Sequence, residues 1–333
     1  MRAPSLGAKH PQLFTCDNPA VTPHERTFRF AAQASQASEA ATWTDLARRV
    51  ESLGYATLSL PDHFGNQLAP VPAMAAAAAA TTTLRIASLV FANDYRHPVV
   101  LAKEMATLDV LSGGRLELGL GAGWLATDYE RSGINQDSTG VRLERMEEAV
   151  HVVRGLMADG QFSFQGRHYT ITELEGLPKP VQRPHPPIMM GGGGRRMLSI
   201  AGREADIVGI NANLAAGRVG PEMAADVTSS AFQRKVGWVK EAAGARFDQI
   251  ELQMQTFYLA VTDDRDANAA AVGQAFGLGA SEVLDIPLVL IGSIDQIADE
   301  LKGRREALGI SYITVQADQC EAFAPVVERL AGS

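Results

Sequence analysis

The sequence predicts an α/β protein built on parallel strands, either a closed (β/α)8 barrel or an open doubly wound sheet. Three observations carry that expectation. Short apolar runs alternate with amphipathic segments along most of the chain, the pattern of strands joined by helical crossovers. About eight runs have strand character, the number a barrel needs. Glycines collect at the C-terminal ends of strands, in "GLGAGW" (119–124) and "MMGGGGRR" (189–196), where α/β folds place their sites.

The elements follow in order. "FRFAAQ" (28–33) reads as a strand and "TWTDLARRVESLG" (42–54) as a helix closed by Gly54. "YATLSL" (55–60) is the next strand. Pro72 opens the following helix, whose run Ala75–Ala80 is helix-forming and small enough to pack closely on a sheet. "LRIASLVFA" (84–92) reads as one buried strand. "HPVVLAKEMATLDVLSGG" (97–114) is a helix with Pro98 at its start and glycines at its end, which makes His97 a helix-entry residue. "RLELGLG" (115–121) is a strand, and a helix covers 142–158. The rhythm then loosens: "FSFQGRHYTI" (162–171) is a hairpin turning at Gln165-Gly166, and the proline-rich "LPKPVQRPHPP" (177–187) follows it as an excursion. It resumes with the strand "PPIMM", the helix "RRMLSIAGREA" and the strand "DIVGIN" (206–211). A long helix near 221–243, a strand over 250–260, a helical insertion over 262–287, the strand "VLIGS" (289–293), a helix, and the strand "ISYITVQ" (310–316) complete the series.

Composition narrows the function classes. The 333 residues are 46% hydrophobic and 20% charged, ordinary for a soluble globular protein. A net charge of −8 argues against a general nucleic-acid surface but leaves room for a local basic pocket. The alanine run is too short to span a membrane. Residues 1–26 lack the apolar core of a signal peptide and read as a poorly ordered arm, with 27–333 as a single domain. Cys16 and Cys320 lie near opposite ends, and there is no CxxC, Cys/His cluster or HExxH. The sequence therefore offers no metal site and fits a reducing cytoplasm.

The glycine clusters ask for an explanation. Gly119, Gly121 and Gly123 give GxGxG, not GxGxxG, and Trp124 stands where the third glycine of a dinucleotide fingerprint belongs. Glycine weakens strands, so either something approaches this backbone closely or the strand turns tightly into the next segment. Gly191–Gly194 lie between a buried strand and a helix. There, free amides form either a flexible turn or an anion site, with Arg195 and Arg196 adding charge.

Taken together, "LPDHF" (60–64), "RHPVVLAKEMATLDVLSGGRLELGLGAGW" (96–124), "FSFQGRHY" with "PKPVQRPHPPIMMGGGG" (162–194) and "AGREADIVGIN" (201–211) resemble the bacterial luciferase-like flavin and deazaflavin oxidoreductases. The pattern is most similar to the branch using coenzyme F420, a deazaflavin common in actinobacteria. The resemblance covers residues 28–316 and implies a TIM-like (β/α)8 barrel with insertion regions. It implies that Gly121, Ala122 and Gly123 line a cofactor cleft, and that Gly191, Gly192, Gly193 and Gly194 with Arg195 hold the cofactor phosphate. A non-prolyl cis peptide at Ser88–Leu89 would form a bulge behind the ring, and Asn93 would touch the cofactor. His63 would donate a proton or stabilise charge at the reacting face, against a structural role in which Asp62 or a loop carbonyl holds it. Trp124 replaces the acidic residue of some sugar-phosphate dehydrogenases, which argues against that chemistry; it would cover the substrate pocket or pack under the next loop. Tyr129 and Glu130 read as surface or loop-packing residues. The implied function is hydride transfer between F420 and a small organic substrate, by reduction of an activated C=C or C=N bond or oxidation of an alcohol. An FMN-dependent monooxygenase and a catalytically inactive barrel are the alternatives. The implied partners are a small molecule and a second copy of the chain, packed through outer helices as a homodimer.

Overall fold

In the computed structural model, the described residues are 26–218 and 221–333. All of the expected N-terminal arm except Arg26 lies outside them. The strands are β1 (Arg29–Gln33), β2 (Thr57–Leu60), β3 (Arg85–Ser88), β4 (Phe91–Ala92), β5 (Leu116–Gly121), β6 (Gln161–Gln165), β7 (Thr170–Glu175), β8 (Ile188–Gly192), β9 (Ile207–Ile210), β10 (Glu251–Gln255), β11 (Tyr258–Val261), β12 (Val289–Gly292) and β13 (Ile310–Gln316). The helices are α1 (Ala40–Ser52), α2 (Pro70–Ala80), α3 (Pro98–Ser112), α4 (Ala126–Ser132), α5 (Thr139–Met157), α6 (Arg195–Glu204), α7 (Ser229–Ala243), α8 (Arg265–Phe276), α9 (Ala280–Leu284), α10 (Ile294–Leu308) and α11 (Cys320–Leu330).

Eight parallel strands close into a barrel. Around it run β3, β2, β1, β13, β10, β9, β8 and β5, and β5 returns to β3 through Ile86 opposite Leu116. The barrel is therefore closed, and the open doubly wound alternative is excluded. The last strand lies beside the first, where Phe30 pairs with Ile313. Local signals explain the element boundaries. In α3, Pro98 occupies the first turn, where its missing N–H costs nothing, His97 Nδ1 accepts from the Val99 amide at 3.3 Å, and Gly113 stops the helix at φ +68°. In α10, Ser293 and Gln296 form a reciprocal capping box.

Several expected elements change shape. Helix α2 begins at Pro70 instead of Pro72. The apolar run 84–92 is two strands, β3 and β4, separated by a bulge. The run 250–260 also breaks: β10 stays in the barrel, while β11 leaves it and pairs with β12 in a separate two-stranded parallel sheet. "VLIGS" is therefore an outlying strand, buried against Ala269 of α8 and Val283 of α9. The helix near 221–243 divides into a 3-10 turn, Pro221–Asp226, and α7.

The N-terminal end of the barrel is closed by charge. Glu117 is fully buried and accepts from Arg29 at 2.5 Å, Arg85 at 2.7 Å and the Tyr312 hydroxyl at 3.2 Å. Arg29 also grips Glu251 with two bonds, and its guanidinium lies 3.7 Å from the centre of the Tyr312 ring. Burial opposes the Glu117 charge, but the two guanidiniums prevail and hold its carboxyl below the usual range. The floor is thus a fixed ionic plug, and the chemistry belongs at the other end.

Candidate active site

The C-terminal ends of the barrel strands open into a cleft of about 690 Å³. That lies within the range of about 300–1,000 Å³ common to cofactor and small-molecule sites.

One wall is the bulge after β3. The cis peptide is Leu89–Val90, one residue later than the expected Ser88–Leu89, and both of its residues line the cleft. Ser88 does not reach the cleft. Its hydroxyl is buried, donating to the Gly119 carbonyl at 2.8 Å and accepting from the Gly119 amide at 2.9 Å. The glycine row of β5 answers to this neighbour. A Cβ on Gly119 would lie 2.0 Å from the Ser88 carbonyl oxygen, and one on Gly121 would lie 2.7 Å from Val90 Cγ2. Gly123 is at φ +74°, and a Cβ there would meet the Tyr129 hydroxyl at 2.0 Å. Tyr129 is buried and packs under this loop, the second of its two expected roles, with its hydroxyl donating to Asp94. Gly121, Ala122 and Gly123 do line the cleft. Asn93 does not: it is buried, with Nδ2 donating to the Tyr169 hydroxyl at 3.3 Å.

A second wall is the glycine turn before α6. Gly191, Gly192, Gly193 and Gly194 all face the cleft. Among the described residues, no hydrogen bond ties down the amides of Gly193 and Gly194, which adjoin the helix N-terminus. None of the four is left-handed, so the amides are not arranged by positive φ. Gly193 is glycine because a Cβ would lie 2.2 Å from the backbone of Ala212. Arg195 and Arg196 edge the cleft, exposed and paired with Glu241 and Glu144.

His63 stands on the loop after β2. Its Nδ1 lies 2.6 Å from Asp128 Oδ2, and its ring and that of Trp124 meet at right angles with centroids 5.7 Å apart. Neither of the expected structural holders is used. Asp62 turns to Arg96, at 2.5 and 3.1 Å, and to the Ala92 amide. Asp128, buried on α4, also accepts from the Tyr95 hydroxyl at 3.2 Å and the Phe64 amide at 3.3 Å. With Asp128 on Nδ1, the His63 Nε2 is the nitrogen left to exchange a proton. Burial and Asp128 push the Tyr95 phenol well above its usual range, while burial and Asp94 push Tyr129 up to about 12, so both remain neutral donors. Arg142 donates to the carbonyls of Ala122 and Gly123 and to Thr139, fixing the loop that carries Trp124.

Sequence reasoning thus singled out His63, Trp124 and both glycine clusters, and the structure brings all of these except Gly119 to one cleft. It missed Asp128, Tyr95, Arg142 and the glutamines Gln33, Gln255 and Gln316 at the ends of β1, β10 and β13, all but Asp128 lining the same cleft. Asp128 stands four residues after Trp124, the one local hint to it.

A closed parallel barrel with a large cleft at its C-terminal mouth is the arrangement of a (β/α)8 enzyme. The chain belongs to the luciferase-like monooxygenase family, whose model matches residues 26–311. It is 27% identical over 204 residues to an FMNH2-dependent dimethylsulfone monooxygenase of Pseudomonas putida, covering 61% of this chain and 52% of that protein. The chain spans about half the length of the curated relatives it matches. Among solved structures, coenzyme F420-dependent tetrahydromethanopterin reductase from Methanopyrus kandleri matches with a TM-score of 0.74 at 18% identity, over 92% of this chain and 99% of that one. An F420-dependent secondary alcohol dehydrogenase, solved with an F420–acetone adduct, matches with a TM-score of 0.73 at 18% identity, over 92% and 98%. At such identities the likeness is one of fold. No helix among the described residues is long and apolar enough to cross a membrane.

Proposed function

We propose that the protein is an F420-dependent oxidoreductase that moves a hydride between the deazaflavin and a small organic substrate. The observation that carries this reading is a histidine, held by a carboxylate, in the same cleft as an unpaired pair of amides at a helix N-terminus. The residues present fit such a group. The amides of Gly193 and Gly194 and the start of α6 suit its phosphate, and the Leu89–Val90 bulge offers an apolar platform for a ring. Arg195 and Arg196 are exposed enough to turn from Glu241 and Glu144 toward an acidic tail. When bound, the deazaflavin supplies two-electron hydride chemistry. The chain supplies the proton: His63 Nε2 gives or takes it at the substrate atom, Asp128 fixes the ring, and Trp124 excludes water from that face.

A second reading, an FMN-dependent monooxygenase, is favoured by the FMNH2-dependent relative. Fluorescence titration of the purified protein with F420 and with FMN separates the two. Tight F420 binding with anaerobic turnover is expected. Tight FMN binding without F420 binding, or turnover that requires oxygen and reduced FMN, overturns the proposal.

A further inference from the structure

At the C-terminal ends of β1, β10 and β13, three glutamines are tied together. Gln33 Nε2 donates to the Leu89 carbonyl at 3.3 Å. That carbonyl can only accept, so the orientation of the Gln33 amide is settled by chemistry and its Oε1 faces the other way. Both Gln255 and Gln316 donate their Nε2 to this Oε1, the latter at 3.1 Å. Their own orientations follow. Each is left with a carbonyl oxygen and a second N–H that have no partner among the described residues, and both residues line the cleft.

We infer that Gln255 and Gln316, braced by Gln33, form a recognition subsite for an uncharged substrate group that carries a hydrogen-bond donor beside an acceptor, such as an amide or lactam edge. The inference rests on the function proposed above. Two observations direct it to the substrate. The amide cradle lies at the end of β8 and the glycine loop at the end of β5, on the opposite arc of the barrel from β1, β13 and β10, and of the three glutamines it is Gln33, the brace, that bonds the Leu89 carbonyl of the ring platform. Among the described residues, the other charged side chains lining the cleft are engaged, Asp62 by Arg96, His63 by Asp128 and Arg142 by loop oxygens, and Arg195 and Arg196 follow β8 on the arc away from the glutamines. A charged substrate group on the glutamines would lose its water and meet no counter-ion, whereas a neutral donor–acceptor edge finds both partners.

Calorimetric titration of the cofactor-loaded protein with three matched probes tests this: an α,β-unsaturated six-membered lactam, cyclohexenone and cyclohexenecarboxylate. The lactam is expected to bind about tenfold more tightly than the ketone, and the carboxylate most weakly. In Gln255→Leu and Gln316→Leu the lactam preference should vanish, while cofactor affinity and melting temperature stay unchanged. Equal binding of lactam and ketone, or carboxylate binding as tight as lactam, overturns the subsite. Loss of cofactor affinity in the variants overturns it in favour of a role in holding the ring. If either variant fails to fold, the wild-type probe ranking decides. Titrations are run with F420 and with FMN. A lactam preference seen only with FMN overturns the cofactor assignment and supports the subsite.

Discussion

Replacing Asp128 by asparagine alters one atom of the structure and unbalances three hydrogen bonds. The carboxylate accepts from His63 Nδ1 and the Tyr95 hydroxyl on Oδ2, and from the Phe64 amide on Oδ1. A carboxamide has one acceptor oxygen. If its nitrogen takes the Oδ2 side, His63 must accept there, its proton moves to Nε2, and the histidine no longer functions as a base. If the nitrogen takes the Oδ1 side, the Phe64 amide faces another donor. We expect turnover to fall about 10²-fold, equivalent to about 2.7 kcal/mol of transition-state stabilisation. The unpaired donor should lower stability by about 1–3 kcal/mol. His63→Ala should lose a similar factor in turnover with little change in melting temperature. Because the two residues act as one unit, the double variant should be no slower than the worse single variant by more than a few-fold. The assay is steady-state oxidation of reduced F420 with a panel of enones, imines and, in reverse, secondary alcohols, beside thermal unfolding. Losses that multiply to about 10⁴, or wild-type turnover in His63→Ala, would refute the reasoning.

Gly194→Ala and Gly193→Ala should separate ligand effects from folding. Gly194 is extended, and a Cβ added there would have no neighbour nearer than 3.7 Å, so its variant should keep its melting temperature and lose cofactor affinity, read by fluorescence titration; Gly193→Ala should lose both, because its Cβ would meet the Ala212 backbone. Glu117→Gln leaves Arg29 and Arg85 without their shared buried carboxylate and should cost about 3–5 kcal/mol in urea unfolding; a loss within the range of a surface pair would mean that Glu251 suffices. Glu51 accepts from the amides of Thr82, Thr83 and Leu84, which, against burial, hold its carboxyl at about 2 instead of 4.5. Its folded pKa is lowered, so its contribution is complete above pH 4.5 and disappears as the pH falls through about 2; Glu51→Gln should flatten stability over that window, and an unchanged acid profile would deny the turn its cap.

Local chemistry made much of this fold legible. Pro98 and Gly113 bound α3 because one fixes φ at a helix start and the other accepts the left-handed stop. The two broken runs were not legible, because burial looks the same along a strand whichever neighbour it pairs with. Phe91 and Ala92 remain apolar although they pair with β5 beyond a bulge, and Tyr258–Val261 keep strand character although their partner lies outside the barrel. At the site, His63 and the glycines carry local signatures. The glutamine cluster has none, since Gln33 and Gln316 meet across 283 positions and each alone is an ordinary polar end to a strand. The partner of His63 was hidden for a related reason: Asp62 is adjacent in sequence, but Arg96 claims it.

The glycine row also shows how a binding signature arises indirectly. Side chains at positions 119 and 121 would occupy the space filled by Ser88 and Val90, so glycine there makes room first for the neighbouring strand. That accommodation lets Leu89 and Val90 reach the cleft. The row therefore supports a platform for a ligand, and of these two glycines only Gly121 also borders the cleft itself. A substitution at Gly119 would distort the platform without touching any bound molecule, and its effect on affinity would be mistaken for a lost contact. The ionic plug of Arg29, Arg85, Glu117 and Glu251 makes such distortion hard to absorb. It fixes β1, β3, β5 and β10 at their N-terminal ends, so displacement of β3 or β5 by an added side chain must be taken up at the mouth, where the cleft is.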